Sequence, residues 1–463
     1  MRRLAALAAA AALSAGCAAV PDIDRALLHG QHTPVRITAA DQSALPGAQV
    51  RAVLESLKRR SPETSIFDRH LAVEEALAGS PLSVGNRVSL LQDGAGTYPP
   101  MLAAIRSARH HVHMEMYIFE ADEVGRQFQQ ALIERARAGV KVRLVIDGVG
   151  SLGTPKEFFR EIAAAGADVY EFNPVGRVFA INNRNHRKVL VVDGRTAFVG
   201  GINISGVYSP YGVQRTRGGI AGGSAGDDEP FENRPWRDMQ VKVEGPGVAD
   251  VQKGFFKIWS QMEKAAAPTD AAYFPKMAPA GPHVVRVVDG WTPEGVNPLY
   301  ATLVSAIESA EKEVRITMAY FVPHDHLLDA LKRAAQRGVD VRLILPSRTD
   351  HWLVFHAGRS YYEEMLAAGV KIHERQSRLL HAKTASVDGV WATVGSTNLD
   401  WRSLLHNEEV NIVVLGPEFA AQLNAAFERD TANSRAVTPE SWAARPAKDR
   451  VREMSARMWA RLL

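Results

Sequence analysis

The chain of 463 residues contains an internal repeat, and this repeat restricts its possible folds more than any other feature. The segment 139–146 (GVKVRLVI) returns as 338–345 (GVDVRLIL), 199 positions later (338 − 139). Each copy follows a helical pattern, and its first Gly is typical of a helix C-terminus that leads into a buried strand. Helices alternating with hydrophobic strands predict an α/β fold. We expect two tandem α/β units with mixed, mostly parallel sheets, packed as a pseudo-twofold pair.

The repeat is clearest around a His-x-Lys-x4-Asp motif. The motif occurs at 186–194 (HRKVLVVDG) and again at 381–389 (HAKTASVDG), 195 positions apart (381 − 186). Further along, Asp238 matches Glu409 at an offset of only 171 (409 − 238), so the first copy holds 24 additional residues (195 − 171). We assign them to the Gly- and Ser-rich stretch 212–233, whose composition predicts a mobile loop.

Each motif places an imidazole beside an ammonium group. Alternate side chains of a strand share a face, so His186 lies with Lys188 and His381 with Lys383. The Asp-Gly pair that follows predicts a hairpin turn. The returning strand brings an asparagine back to the level of the histidine; these asparagines are Asn203 and Asn398. Histidine, lysine and an amide directed at one point suit a phosphodiester.

The aspartates of the motifs, Asp193 and Asp388, lie at the far turn. Seven residues separate each from its histidine, about 23 Å at full extension, so neither can touch the imidazole of its own copy. By this reasoning both are turn residues. The matched pair Asp238 and Glu409 provides the carboxylates that can orient the imidazoles, which leaves the second ring nitrogen free to react.

The paired motifs, each followed by Gly-Gly or Gly-Ser and then Asn, resemble the signature of the phospholipase D superfamily. The resemblance extends over residues 86–435. The segments 236–238 (WRD) and 395–403 (GSTNLDWRS) are similar to bacterial cardiolipin synthases. The resemblance implies one active site at the interface of two phospholipase D-like repeats, with no metal or cofactor.

The resemblance also implies a mechanism. One histidine attacks phosphorus to give a phosphohistidine, while the other protonates the leaving alcohol and then deprotonates the incoming one. The family order makes His186 the nucleophile and His381 the acid, with the reverse assignment left open. The motif residues implied to be catalytic are His186, Lys188, Asp193, His381, Lys383 and Asp388. The residues expected to bind phosphate or orient the histidines are Asn203, Asn398, Asp238 and Glu409.

We therefore expect a phosphatidyl transferase that joins two phosphatidylglycerols into cardiolipin and releases glycerol. Hydrolysis of phospholipid to phosphatidic acid, a phospholipase D-type nuclease and a non-catalytic scaffold are the alternatives. The formal net charge of +4, with no dense basic stripe, does not favour nucleic acid. The expected partners are a phospholipid and a membrane surface, without nucleic acid, and the oligomeric state stays open.

Residues 1–17 predict an export signal. Arg2 and Arg3 precede an apolar stretch that is too short to span a bilayer. The run LSAGC resembles a bacterial lipobox, although Leu13 lies four places before Cys17 rather than three. Cys17, the single cysteine, is then the expected lipid anchor of a protein exported to the bacterial cell envelope. The alternative is a leader cleaved elsewhere, with an incidental cysteine.

The remaining boundaries follow from the repeat. We expect an N-terminal extension (18–85) packed on the first unit, repeats at 86–270 and 280–435, and a Pro- and Ala-rich linker within 265–282. The C-terminal segment 436–463 predicts an amphipathic helix, and its apolar and basic residues allow two interpretations. It is either an interfacial helix on anionic lipid or a helix that caps the core.

Several other residues have two interpretations. The cluster His110, His111, His113 and Glu115 suggests a metal site, but the second copy keeps no such ligands, so we favour a strand that leads into the active site, with Glu115 behind it. The aromatic residues near these strands are expected in the core; they are Tyr117, Phe119, Tyr320 and Phe321. For Trp401 and Arg402, a headgroup contact and a packing role are equally compatible with the sequence.

Overall fold

The computed structural model describes residues 32–176, 182–209, 234–290 and 296–463, together with Leu27 and Gly30. Cys17 and the predicted loop 212–233 lie outside the described residues. The strands are β1 (Ile37–Thr38), β2 (Leu82–Gln92), β3 (His111–Met116), β4 (Lys141–Asp147), β5 (Asp168–Phe172), β6 (Val189–Val192), β7 (Thr196–Gly200), β8 (Met239–Glu244), β9 (His283–Asp289), β10 (Glu313–Met318), β11 (Asp340–Pro346), β12 (Lys371–Arg375), β13 (Lys383–Val387), β14 (Trp391–Gly395), β15 (Val410–Leu415) and β16 (Ser434–Val437).

The helices surround these strands. They are α1 (Gly47–Arg60), α2 (Ile66–Arg69), α3 (Leu71–Ala78), α4 (Asp93–Ser107), α5 (Glu123–Arg137), α6 (Lys156–Ala164), α7 (Val248–Glu263), α8 (Pro298–Ser309), α9 (Asp325–Gln336), α10 (Trp352–Arg359), α11 (Tyr362–Ala367), α12 (Trp401–Leu405), α13 (Pro417–Ala432), α14 (Pro439–Ala443) and α15 (Ala447–Arg457). Within the described ranges, no helix has both the length and the apolar character needed to cross a bilayer.

The two units of the repeat have the same strand order. The first unit is ordered β2-β8-β7-β6-β3-β4-β5, and the second is ordered β9-β15-β14-β13-β10-β11-β12, with β16 added at its edge. The long strand β2 pairs with β8 of its own unit and also with β9 of the other, so both units form one continuous sheet. The predicted α/β fold with two related units is confirmed.

The sheet is mixed, as predicted, but the prediction that most pairings are parallel is wrong. Among the described strands, ten pairings are antiparallel and five are parallel, so the sheet is mixed but mostly antiparallel. A continuous apolar run such as that of β6 is typical of a parallel strand, because helices usually cover both faces of a parallel sheet. Here both faces of the antiparallel strands are covered as well, and β6 is buried throughout.

One hydrophobic core is built by both units together. Val189 and Val199 of the first unit belong to the same buried cluster as Val394 and Ile412 of the second. Helices α7 and α13, one from each unit, contribute to this cluster. Strands β7 and β8 of the first unit therefore pack against β14 and β15 of the second, which brings the two motifs to one interface.

The N-terminal extension packs on the second unit, which corrects the expectation that it packs on the first. Leu57 and Leu71 lie in the same core cluster as Leu299 and Val304 of α8. Helix α8 is buried along almost its whole length and needs a cover on its outer side. Thr64 Oγ1 also donates to Asp388 Oδ2 at 2.6 Å. The amphipathic pattern of α1 predicts a buried face but does not identify the partner.

The C-terminal segment forms α14, α15 and a short 3₁₀ turn at Ala460–Leu462. Helix α15 packs on α10, where Arg359 Nε lies 3.2 Å from Glu453 Oε1. The segment 265–282, the predicted linker, forms no helix or strand.

Candidate active site

The backbone at each histidine pairs with a backbone segment of the other unit. The backbone N–H of His186 donates to the carbonyl of Glu408 at 3.0 Å, and that of His381 donates to the carbonyl of Arg237 at 2.8 Å. The matching parallel bridges join Asn185 to Glu408 and Arg237 to Leu380. These contacts fix each histidine beside the residue that follows its backbone partner, namely Glu409 or Asp238.

Each imidazole is held by a carboxylate of the other unit. His186 Nδ1 lies 2.9 Å from Glu409 Oε1 and 3.0 Å from Oε2, while His381 Nδ1 lies 2.7 Å from Asp238 Oδ2. All four side chains are buried. With Nδ1–H donated to a carboxylate, Nε2 of each ring is the nitrogen left to react. The sequence identifies these carboxylates but not their exchange between units.

Both lysines of the motifs are buried beside their histidines. Lys188 Nζ donates to the carbonyl of His186 at 2.5 Å, and Lys383 Nζ donates to the carbonyl of His381. Each ammonium also lies near a tyrosine ring, at 5.0 Å for Lys188 over Tyr117 and 5.9 Å for Lys383 over Tyr320. The site therefore contains two buried lysine side chains, one from each unit, and burial lowers the pKa of Lys188 well below its usual value.

The pKa values show that the two motifs share one electrostatic environment. Burial, followed by the charges of both lysines, lowers the pKa of His186 and of His381 well below the usual value. Burial lowers the pKa of Lys383 to about 8. Burial also raises the pKa of Asp238 and of Glu409 to about 7, although the lysines oppose this rise. Each histidine is affected by the lysine of the opposite unit as well as by its own.

The two asparagines have different surroundings. Asn203 Oδ1 accepts from the backbone N–H of Ile118 at 3.0 Å, and its Nδ2 donates to Tyr208 Oη at 3.1 Å. Tyr208 Oη in turn lies 3.2 Å from His381 Nδ1, so Asn203 is linked to the histidine of the other unit. Asn398 is buried, and its Oδ1 has no hydrogen-bond partner among the described residues. Asn398 thus has free hydrogen-bonding capacity that Asn203 uses within the protein.

Further side chains hold the carboxylates, and sequence reasoning missed them. Ser396 Oγ donates to Glu409 Oε2 at 2.5 Å, and Ser403 Oγ donates to Glu409 Oε1 at 2.8 Å. At the same offset of 195 (396 − 201; 403 − 208), the first unit has Gly201 and Tyr208. Extending the repeat comparison past the asparagines would therefore have found these positions.

Asp193 and Asp388, which the resemblance places among the catalytic residues, act at turns. Asp193 accepts the backbone N–H groups of residues 109–111, and Asp388 accepts those of residues 311–313. Both have positive φ, at 53° and 52°. They tie the hairpins β6–β7 and β13–β14 to the start of β3 and β10. This agrees with the turn role inferred from spacing, and it corrects the catalytic role.

A second layer supports the loop that carries His186. Asn185 Nδ2 donates to Glu115 Oε2 at 2.9 Å, and the backbone N–H of Asn185 donates to Asp147 Oδ2 at 2.9 Å. Arg184 Nε also lies 3.0 Å from Asp147 Oδ2. Burial raises the pKa of Glu115 to about 7. Glu115 thus lies behind the site, as favoured from the sequence.

The histidine cluster of β3 packs among aromatic rings. His113 stacks on Phe255 with ring centroids 4.6 Å apart, and Gln252 Nε2 lies 2.6 Å from His113 Nδ1. His110 Nδ1 lies 2.8 Å from His111 Nδ1. In the described part of the chain, no group of three or more His, Cys, Asp or Glu side chains is arranged to hold a metal ion.

Two of the aromatic residues expected in the core line the site instead. The Tyr117 ring lies 4.9 Å from the His186 ring, and the Tyr320 ring lies 6.0 Å from the His381 ring. Phe119 and Phe321 are in the core, as expected. Trp401 has a packing role, with its ring 4.7 Å from His324. Arg402, the other residue of that pair, has its Nη2 3.1 Å from the carbonyl of Asn182.

This arrangement suits transfer at phosphorus. Two reactive ring nitrogens, each oriented by a buried carboxylate, accompany two ammonium groups that can neutralise the oxygens of a phosphodiester. The two histidines need opposite protonation states during such a reaction, because attack requires a neutral ring and protonation of a leaving group requires a charged one.

Comparisons with known proteins agree with this geometry. A family model described as "Cardiolipin synthase, PLD-like domain" matches residues 101–207 and 303–431. The chain is 34% identical over 388 residues to a cardiolipin synthase of Geobacillus kaustophilus, covering 83% of this chain and 74% of that protein. It is 32% identical over 384 residues to the major cardiolipin synthase ClsA of Bacillus subtilis, covering 82% and 76%.

A solved structure supports the same fold. The phosphatidylserine synthase of Haemophilus influenzae superposes with a TM-score of 0.64 at 14% identity, covering 84% of this chain and 99% of that one. At this identity the match bears on the fold alone. The sequence relatives and the doubled motif establish the family: the chain belongs to the cardiolipin synthase-like family of the phospholipase D superfamily and is a phospholipid transferase of the phospholipase D type.

Proposed function

We propose that the enzyme makes cardiolipin from two phosphatidylglycerols through a phosphohistidine on His186. The observation that supports this most is the exchange of carboxylates, in which Glu409 orients His186 and Asp238 orients His381 across the interface. The names of the relatives support the choice of product.

In the first step, Nε2 of His186 attacks the phosphorus of one phosphatidylglycerol. The bond between phosphorus and the glycerol headgroup oxygen breaks, and His381 donates a proton to that oxygen, so glycerol leaves. Lys188 and Lys383 neutralise the non-bridging oxygens. The Asn398 amide, whose Oδ1 has no hydrogen-bond partner among the described residues, donates its N–H groups to the same oxygens. The entering phosphodiester brings a negative charge to the lysines, which raises the low pKa of His381 towards the range of a general acid.

In the second step, a headgroup hydroxyl of another phosphatidylglycerol gives its proton to His381 and attacks phosphorus. His186 then leaves, and cardiolipin is formed. The hydroxyl donors on Glu409 support His186 as the nucleophile. Ser396 and Ser403 stabilise the ionised carboxylate, which holds the ring proton on Nδ1, leaves Nε2 as the attacking nitrogen and stabilises the positive charge that the ring gains on attack. Gly201 offers no such hydroxyl to Asp238.

Export and attachment to the cell envelope through Cys17 are part of the same proposal. A signal that ends in a lipobox-like cysteine would place the enzyme at a membrane containing its substrate. Expression in a bacterial host followed by mass spectrometry of the mature N-terminus tests it, since a diacylglyceryl-modified Cys17 supports anchoring and an unmodified mature terminus contradicts it.

The activity is tested by incubating the purified protein with phosphatidylglycerol vesicles and resolving the products. Cardiolipin and glycerol in equal amounts support the proposal. Phosphatidic acid as the main product would identify a hydrolase instead. Cleavage of DNA without lipid turnover would identify a nuclease. A variant with His186→Ala serves as the control for contaminating activity.

A further inference from the structure

Most of the large apolar side chains that are exposed in the described part of this protein lie on or next to its C-terminal helix. Among the described residues, those more than half exposed are Leu152, Trp352, Val451, Met454, Met458 and Trp459. Four of the six lie on α15 or directly after it, and Trp352 begins α10, against which α15 packs. Scattered exposed apolar residues need no explanation, whereas a cluster indicates an interaction site. We call these six residues the exposed apolar surface.

Helix α15 has its polar and apolar sides reversed. Val451, Met454 and Met458 share one side because they are three and seven residues apart, and this side faces solvent. The buried side carries Glu453 and Ala456. Glu453 is held by Arg359 at 3.2 Å, and also by Arg445 at 2.9 Å. An ordinary surface helix buries its methionines and exposes its carboxylates, so this orientation is unusual for a helix that meets only water.

Trp352 lies beside the active site on the side of the second unit. It follows His351, whose ring is 5.3 Å from that of Tyr320. Tyr320 in turn packs against His381, with ring centroids 6.0 Å apart. An apolar partner that covers Trp352 would therefore lie close to His381, on the side of the active site that we call the entrance.

Leu152 has the corresponding position in the first unit. It follows Ser151, whose Oγ donates to the carbonyl of Tyr117 at 3.1 Å. Tyr117 packs against His186. Leu152 comes after β4 and Trp352 comes after β11, which are equivalent strands of the two units. Apolar residues thus flank both histidines.

The charge around α15 identifies the partner as an anionic lipid surface. Residues 447–463 contain five basic residues and two acidic ones, of which Glu453 is buried and paired. The basic residues are Lys448, Arg450, Arg452, Arg457 and Arg461, all exposed. Exposed apolar side chains flanked by cations are typical of helices that lie in the headgroup region of anionic bilayers. A second copy of this chain would present the same cations and would be repelled.

We propose that the exposed apolar surface docks the enzyme on an anionic phospholipid bilayer and holds the active-site entrance against the lipid. The identity of the lipid substrate rests on the proposed function, whereas the binding of the protein to the bilayer does not. Leu152 and Trp352 enter the headgroup region on either side of the entrance. A phosphatidylglycerol molecule then reaches the histidines without leaving the bilayer surface completely.

Vesicle binding tests the docking surface. The full chain, carrying Cys17→Ser throughout so that no acyl anchor can form, is sedimented with vesicles of phosphatidylglycerol and phosphatidylcholine. We expect the double variant Met454→Gln, Met458→Gln to bind at least about tenfold more weakly. Turnover of short-chain phosphatidylglycerol, supplied as monomers, should equal that of the parent, and an unchanged melting temperature checks the fold.

Substitution of two comparable arginines tests whether the positive charge of α15 contributes to vesicle binding. Arg452 and Arg160 are both exposed, and each is paired with a carboxylate three residues earlier on its helix. Arg452→Gln should weaken binding to anionic vesicles by about two- to fivefold, whereas Arg160→Gln should have no effect.

The outcomes are separate from those for the catalytic proposal. If the double methionine variant binds anionic vesicles as tightly as the parent, the docking proposal is wrong. It is also wrong if the methionine substitutions only convert a dimer to a monomer and leave vesicle binding unchanged. If no variant turns over phosphatidylglycerol, the proposed function fails, but the binding comparison still decides the role of this surface.

Discussion

Nδ1 of His186 in the first unit lies 2.9 Å from Oε1 of Glu409 in the second unit. The reciprocal contact joins His381 to Asp238 at 2.7 Å. Neither unit therefore contains a complete histidine–carboxylate pair, although each contains a complete His-x-Lys motif. A mutation of a carboxylate in one unit is expected to disable the histidine of the other.

The exchange is tested first by Glu409→Gln. The amide cannot stabilise positive charge on the His186 ring, so we expect kcat for phosphatidylglycerol to fall by about 10²- to 10⁴-fold with the fold intact. Glu418→Gln is the control, because Glu418 is exposed and pairs with Arg60 at the surface. A kcat for Glu409→Gln within threefold of wild type would contradict the orienting role.

Substitution of Gly201 tests whether the position of the Asp238 carboxylate matters for activity. A Cβ at this position would lie 2.3 Å from Asp238 Oδ1, too close for a real contact, so the carboxylate must shift from the position in which it meets His381. We expect Gly201→Ala to lower kcat by at least about 10²-fold. Gly153→Ala is the matched control, since a Cβ there meets nothing within 4 Å. Equal activities of the two variants, measured as cardiolipin formed per minute, would show that Asp238 has no positional role.

The pKa of Lys383 predicts how kcat/KM changes at alkaline pH. Burial lowers its pKa to about 8, so the side chain is charged below this pH and loses its charge above it. Because the charge attracts the phosphodiester, kcat/KM should fall as pH rises through 8, by about tenfold per unit in the limit of a single group. The control is Lys141→Arg, a change at an exposed residue that should leave the profile as it is. A flat kcat/KM from pH 7 to 9.5 would exclude this assignment.

Substitution of Asp388 distinguishes a structural role of this residue from a catalytic one. It accepts three backbone N–H groups and the Thr64 hydroxyl, so Asp388→Ala should lower the free energy of unfolding by about 2–4 kcal/mol. The variant should keep kcat within a few-fold per folded molecule. Asp388→Asn tolerates the positive φ and should lose less stability. A loss of kcat as large as that of His381→Ala, with stability unchanged, would return Asp388 to the catalytic residues.

Most residues of the site can be predicted from the sequence because the two copies of the repeat can be aligned with each other. Matching the two copies identified the histidines, the lysines, the asparagines and the carboxylate pair before any contact was known. Tyr208 and Ser403 were missed although they occupy the same repeat position, because tyrosine and serine do not look equivalent. They are equivalent only in space, where each lies next to one histidine–carboxylate pair.

Other features depend on packing that a one-dimensional pattern does not contain. Burial on both faces produces the same apolar run in a parallel strand and in an antiparallel one, so the run in β6 could not predict direction. The partner of the N-terminal extension depends on the outer side of α8, a surface that the sequence of the extension does not describe. The exchange of carboxylates requires the interface itself, since Glu409 is 223 positions from His186 in the chain.

The covalent intermediate tests the central claim most directly. The His381→Ala and His186→Ala variants are incubated with a phosphatidyl ester whose leaving group needs no protonation, denatured at neutral pH and measured as intact protein. We predict a phosphatidyl adduct on His186 in His381→Ala and no adduct in His186→Ala. An adduct found only in His186→Ala, on His381, would contradict the assignment of His186 as the nucleophile.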